Sequence, residues 1–160
     1  MSATTWVRPV GVDDTRWMAA CERIEHLAFG HARLSLASEL RQPHAAVWAA
    51  GVTEDGVAPE ASEPLAFVLV WYLADEVEIQ TVATAPAARR RGLGRALVAH
   101  ALDAARERRC QRALLEVRAG NEAARGLYRA LGFQDDGVRR RYYDDPVEDA
   151  VLMSRSLETP

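Results

Sequence analysis

The stretch VATAPAARRRGLGRAL, Val82 to Leu97, decides how this chain is read. It leaves a strand-like run, passes Arg89, Arg90 and Arg91, and enters a helical pattern through Gly92, Leu93 and Gly94. Two glycines this close together weaken a helix by about 1 kcal/mol each relative to alanine. At a helix mouth they have a use. The first turn carries unpaired N–H groups and a partial positive charge. Glycine lets an anion approach those groups, and neighbouring arginines add charge-assisted hydrogen bonds. The stretch reads as a pyrophosphate cradle, weighed against a plain surface turn with solvated arginines. A P-loop is excluded, because neither Lys nor Ser/Thr follows the second glycine. A dinucleotide fingerprint is excluded too, because Leu97 stands where the third glycine belongs.

Working outward, the pattern alternates between strands and helices. TTWVRPV opens as a strand. Asp13 and Asp14 can cap a helix over TRWMAACERIEHLAF, where Trp17, Ala20, Ile24 and Leu27 keep helical spacing. A short helix in ARLSLASEL ends before Pro43, and AAVWAAGV is a strand. After the turn region TEDGVAPEASEP come strands LAFVLVWYL and EVEIQTVAT, joined at Asp75. A helix runs through GRALVAHALDAARERR, then a strand through RALLEVRA. Asn121 caps the helix EAARGLYRAL, which stops at Gly132. FQDDGVRRRYY and AVLMSRSL are the last strands. The order β-α-α-β-β-β-α-β-α-β-β argues for a mostly antiparallel sheet with helices packed on both faces.

Composition bounds the function. A chain of 160 residues, 49% hydrophobic and 27% charged, is expected to be one soluble globular domain spanning 1–160. The formal net charge of -3 argues against a dedicated nucleic-acid binder. The longest apolar run, Leu65–Ala74, is far short of the roughly 20 residues of a membrane span. Met1–Thr5 is polar and lacks the apolar region of a secretion signal. Cys21 and Cys110 form no CxxC pair, so the thiols are expected free and the compartment reducing and cytoplasmic. The histidines His26, His31, His44 and His100 show no metal spacing, and no metal site is expected.

Read with its context, VATAPAARRRGLGRAL resembles the acetyl-CoA signature of the GNAT superfamily of N-acetyltransferases, a strand followed by Arg/Gln-x-x-Gly-x-Gly/Ala opening a helix. The resemblance covers nearly the whole chain. LLEVRAGNEAARGLYRALGF, RRRYY and EDAVLM sharpen it toward the members that acetylate the N-terminal alanine of the eighteenth small-subunit ribosomal protein. It implies a mixed α/β (α+β) fold with a mostly antiparallel twisted sheet of about seven strands. It implies acetyl-CoA as co-substrate, a protein N-terminal peptide as acceptor, and direct attack by the amine. Two departures concern the acceptor side. FGHARLS stands where the family often carries a Pro-Trp pair, and the turn after RRRYY is the short DDPV.

The resemblance also implies roles. The backbone of Val82, Ala83 and Thr84 pairs with the pantetheine arm. Arg90, Arg91, Gly92, Leu93, Gly94 and Arg95 wrap the pyrophosphate. Asn121 matches a position near the thiol end, a role compatible with its cap. Tyr142 and Tyr143 line the acceptor groove, or simply pack on the sheet.

Glu116 is the candidate base on two grounds. It interrupts an apolar strand on the face of Leu114, where partial burial suits a carboxylate to proton transfer. The resemblance places the base there. A solvated glutamate or a partner for Arg118 is the plainer reading, and Glu78 on the neighbouring strand is the alternative base. Tyr128 reads in isolation as a core tyrosine; the resemblance makes it the acid that protonates the leaving thiolate. Cys110 lies at the far end of the helix from the glycines and reads as a buried thiol. Asp135, Asp136, Asp144, Asp145, Glu148 and Asp149 either attract a basic peptide or form a solvated edge. The competing functions are acetylation of a lysine or small amine, and an inactive acetyl-CoA sensor, which would not need both Glu116 and Tyr128.

Overall fold

The structure is a computed structural model and describes residues 2–30 and 35–158. Eleven main elements follow the expected order: β1 (Ala3–Val10), α1 (Thr15–Phe29), α2 (Leu36–Leu40), β2 (Ala45–Glu54), β3 (Ala66–Leu73), β4 (Glu76–Thr84), α3 (Leu93–Glu107), β5 (Arg112–Arg118), α4 (Glu122–Ala130), β6 (Gln134–Asp144) and β7 (Val147–Ser156). Hydrogen bonding arranges the strands in one seven-stranded sheet, in the order β1-β2-β3-β4-β5-β7-β6. The β1–β2, β2–β3, β5–β7 and β6–β7 ladders are antiparallel, and β4–β5 is parallel. Two compact units divide the chain: Met1–Trp71 with Thr81–Ala101, and Tyr72–Gln80 with Leu102–Pro160.

In the first unit, Trp6, Met18, Cys21, Ile24, Leu36, Val47, Phe67, Leu69 and Ala83 belong to one buried cluster. Trp6 pairs across the ladder with Gly51, and its indole fills the space a Cβ there would need. The same indole stacks on Trp17 of α1, with ring centroids 4.9 Å apart. Glu22 on α1 accepts from the Leu36 N–H at 3.2 Å, and Glu39 on α2 accepts from the Trp71 indole at 2.7 Å. Ala66 to Val70 are fully buried, as expected of an apolar run with neighbours on both faces.

Two details differ from expectation. Asp14 occupies the N-cap of α1 but makes no side-chain cap; its carboxylate turns back to the Gly11 N–H at 2.7 Å. Leu27 keeps helical spacing yet is 63% exposed, so the buried stripe of α1 runs through Met18, Cys21, Ile24 and Glu25 instead. Of the second predicted helix, residues 36–40 are helical with Ser35 as cap, its hydroxyl accepting from the Ser38 N–H. Residues 31–34, which include His31 and part of FGHARLS, lie outside the described residues.

In the second unit, β5 is alternately buried. Ala113, Leu115 and Val117 face the core, while Leu114, Glu116 and Arg118 occupy the less buried face. Asn121 caps α4 by accepting from the Ala124 N–H at 3.1 Å. The helix ends in a Schellman motif: Gly132, at φ 89, donates to Arg129 O, and Phe133 donates to Tyr128 O, both at 3.0 Å. The accompanying contact is Tyr128 against Phe133, edge to face at 5.8 Å. The glycine stop read in the sequence therefore also orients Tyr128.

Candidate active site

The cradle residues all lie in the first unit. A 3₁₀ turn over Pro86–Ala88 leads to Arg89 in an extended conformation, Arg90 at φ 67 and Gly92 at φ 76. Two left-handed residues in so short a span turn the backbone sharply into α3. A Cβ on Gly92 would meet nothing within 4 Å, so glycine is needed there for its backbone conformation and not for packing. The first helical bond of α3 runs from the Ala96 N–H to Gly92 O at 3.0 Å. Among the described residues, no hydrogen bond is found from the N–H groups of Arg90, Arg91, Gly92, Leu93, Gly94 or Arg95. Leu93 and Leu97 are buried and anchor the helix start, while Arg90, Arg91 and Arg95 are exposed. The result, among the described residues, is a set of unspent donors at a positive helix end with three exposed arginines on the same short segment.

Val82, Ala83 and Thr84 complete β4 on the approach to this turn. The parallel ladder with β5 covers only Glu76–Ile79 against Arg112–Leu115. Beyond Ile79, β4 has no ladder partner on its β5 side among the described residues. A strand that stops pairing partway along offers its remaining N–H and C=O groups to another extended chain.

The titratable candidates lie in the second unit. The register aligns Glu78 with Leu114, so Glu78 and Glu116 share one sheet face. Glu78 accepts from Gln80 Nε2 at 3.0 Å. The Glu116 side chain is partly buried, at 30% exposure, and its Oε1 lies 3.6 Å from Arg139 Nη1. Arg118, its adjacent same-face neighbour, pairs with Glu148. Sequence reasoning missed Arg139 as the partner. On the β6–β7 ladder Arg139 sits opposite Ala150, while β7 places Leu152 between Glu116 and Gly137. That relationship depends on a register with irregularities on both sides of Arg139, for which no local sequence signal exists.

Tyr128 is 8% exposed. Burial, with a smaller effect of Tyr143, pushes its phenol up to about 12. The phenol therefore stays protonated through the physiological range and keeps an O–H to donate. Asn121 faces solvent, with its side-chain oxygen spent on the cap. Tyr142 and Tyr143 meet edge to face at 5.1 Å. Three of the acids are held internally. Asp135 binds Arg125 and Arg129, Glu148 binds Arg118 and the Gly120 N–H, and Asp149 accepts from the Arg141 N–H.

Cys21 and Cys110 are free and buried, and burial raises both thiols, Cys21 to about 12. Neither is a thiolate nucleophile near neutral pH. His44 packs against Trp71 and His100 against Trp48, each at 5.4 Å. Among the described residues no helix is long and apolar enough to cross a membrane.

Comparison with known proteins adds four findings. The model of the acetyltransferase (GNAT) family matches residues 13–133. The [ribosomal protein bS18]-alanine N-acetyltransferase of Escherichia coli K12 is 42% identical over 91 residues, which are 56% of this chain and 62% of that protein. The alignment thus spans less than two thirds of that relative's length. The crystal structure of the ribosomal-protein-S18-alanine N-acetyltransferase from Escherichia coli superposes with a TM-score of 0.81 at 29% identity, covering 98% of this chain and 96% of that one. The fold is shared more widely: Arabidopsis thaliana NAA60, solved in complex with acetyl-CoA, superposes at a TM-score of 0.79 with 19% identity, covering 96% of this chain and 98% of that one.

Proposed function

The chain belongs to the GNAT acetyltransferase family, and on that footing we propose that it transfers an acetyl group from acetyl-CoA to the α-amine of a protein N-terminus. The acceptor proposed is the N-terminal alanine of ribosomal protein bS18, on which the Escherichia coli relative acts by name. The family model runs through both compact units, which supports reading 1–160 as one catalytic domain. The free thiols support a reducing, cytoplasmic setting.

The observation that carries the proposal is the set of unspent amides from Arg90 to Arg95 behind the left-handed Gly92. Those donors, with Arg90, Arg91 and Arg95 beside them, fit a diphosphate. Leu93 keeps the turn in register by burial, and Gly94 leaves the first turn without a side chain. The β5-side edge of β4 at Val82–Thr84, without a ladder partner there among the described residues, fits an extended chain bearing amides, such as a pantetheine arm. Bound acetyl-CoA supplies an activated thioester.

The protein's own task is then to manage protons. In the net reaction the amine nitrogen bonds to the acetyl carbon, the C–S bond breaks, the amine loses a proton and the thiolate gains one. Glu116 accepts the proton of the attacking amine, directly or through water. An α-amine titrates near ~8 against ~10.4 for a lysine, so an N-terminal acceptor asks less of this base. Tyr128 donates a hydrogen bond or a proton to the departing sulfur. Asn121 sets the start of the helix that carries Tyr128.

The test is an acetyl-transfer assay on N-terminal peptides read by mass spectrometry, with the bS18 N-terminus, α-blocked lysine peptides and small amines as arms. Acetyl on the α-nitrogen of the bS18 peptide is the expected result. Transfer confined to lysine or small amines would replace the acceptor, and CoA binding without transfer to any arm would make the chain a sensor.

A further inference from the structure

The end of β5 and the short β6–β7 turn are clasped by one side chain that the chemistry above does not use. Arg118 Nη1 lies 3.3 Å from Glu148 Oε1 and donates to Pro146 O at 3.1 Å, while Nη2 donates to Asp145 O at 3.4 Å. Its guanidinium carbon sits 4.2 Å from the centre of the Tyr143 ring. Glu148 is itself fixed, because its Oε2 accepts from the Gly120 N–H at 2.6 Å. A Cβ on Gly120 would stand 2.7 Å from that oxygen, so a larger residue there would have to displace the carboxylate. Arg118 and Glu148 are both mostly buried, with side chains 28% and 25% exposed.

The register says what this clasp serves. Tyr143 pairs with Glu148, and Arg118 pairs with Ala150, so Tyr143, Glu148, Arg118 and Glu116 share one sheet face. One guanidinium therefore fixes both the turn backbone and an aromatic ring on the face that carries Glu116. Lysine does not reproduce this geometry, since its compact ammonium lacks the planar fork that spans two carbonyls and a carboxylate while lying on a ring.

Resting on the acetyl-transfer reading above, we propose that Arg118 is a positioning residue for acceptor specificity: it holds Tyr143 and the Asp144–Val147 turn as a preformed wall for the acceptor's N-terminal residues. A wall set in advance lowers the ordering cost of acceptor binding. Its loss is felt in acceptor KM and not in the chemical step.

Arg118→Lys and Glu148→Gln are the test variants, read by steady-state kinetics and by hydrogen exchange of the 144–148 amides. Arg118→Lys is expected to raise acceptor KM about tenfold, with kcat and acetyl-CoA KM within about twofold, and to speed exchange in the turn. Glu148→Gln is expected to move both in the same direction by less. An acceptor KM within about twofold of wild type in both variants overturns the proposal, as does a fall in kcat matching the rise in KM. If the wild-type protein acetylates no acceptor, the underlying reading fails instead. Exchange rates then judge the clasp alone, and unchanged rates overturn it.

Discussion

Arg139 reaches from the sheet-edge strand β6 to place its Nη1 3.6 Å from Glu116 Oε1. The arginine is 57% exposed, so the pair contributes little to stability; its consequence is a positive charge beside the carboxylate. Replacing Glu116 by Gln keeps the shape and removes the proton acceptor. The expected result is a fall in kcat of about 10²-fold with CoA binding intact, the scale of a lost general base. An unchanged turnover number would transfer the role to Glu78 or to no single residue.

Tyr128 bears on the other proton. With the phenol pushed up to about 12, full transfer to a thiolate near 8.5 is uphill, so a hydrogen bond to the developing charge carries more of the effect. Tyr128→Phe is expected to lower kcat by about 10- to 100-fold and to leave the Kd for acetyl-CoA unchanged. Calorimetry alongside turnover separates the two; wild-type turnover in the variant removes Tyr128 from the chemistry.

At Gly92 the backbone holds φ 76 in open space. Alanine there meets no neighbour but carries the left-handed penalty of about 1–2 kcal/mol. Gly92→Ala is expected to weaken CoA binding by about tenfold, and Gly92→Asn, which tolerates that conformation better, by less. Equal affinity in all three proteins, measured by calorimetry, would detach this turn from the diphosphate.

Alkaline pH should destabilise the fold in a defined window. Burial raises Cys21 from 9.0 to about 12, and Tyr72 and Tyr128 from 10.0 to about 12. Between those values the unfolded chain loses protons that the folded chain keeps. Stability is therefore fully present below pH ~9 and declines as pH rises toward ~12. Denaturant midpoints across that range are expected to fall, and Cys21→Ala is expected to flatten the earliest part of the decline.

Gly51→Ala tests the packing of the first unit. The added methyl would collide with the indole of Trp6, which also carries the stack on Trp17. Overpacking of this kind costs about 1–3 kcal/mol and is expected as a lowered Tm. An unchanged Tm would show that the indole has room to shift.

Local chemistry was legible where it is carried by near neighbours in the chain. The bounds of α1 and β4, the Asn121 cap and the Gly132 stop all follow from residues within a turn of each other. Asp14 and Leu27 departed from the pattern for tertiary reasons, one carboxylate preferring the Gly11 amide and one leucine lying off the buried stripe. The acids near the end of the chain could not be sorted in advance, because their partners Arg125, Arg129 and Arg118 come from other elements.

The glycine-arginine turn and the order of strands and helices could be read from one dimension, because propensity, capping and periodicity act over a few residues; Glu116 and Tyr128 became candidates for proton transfer through the resemblance to a family. The pairing of Glu116 with Arg139, the clasp of Arg118 and the point where β4 leaves β5 could not. Those arise from strand register, and register is settled only when distant segments bury their faces together, where a slip of one residue would send every side chain to the opposite side.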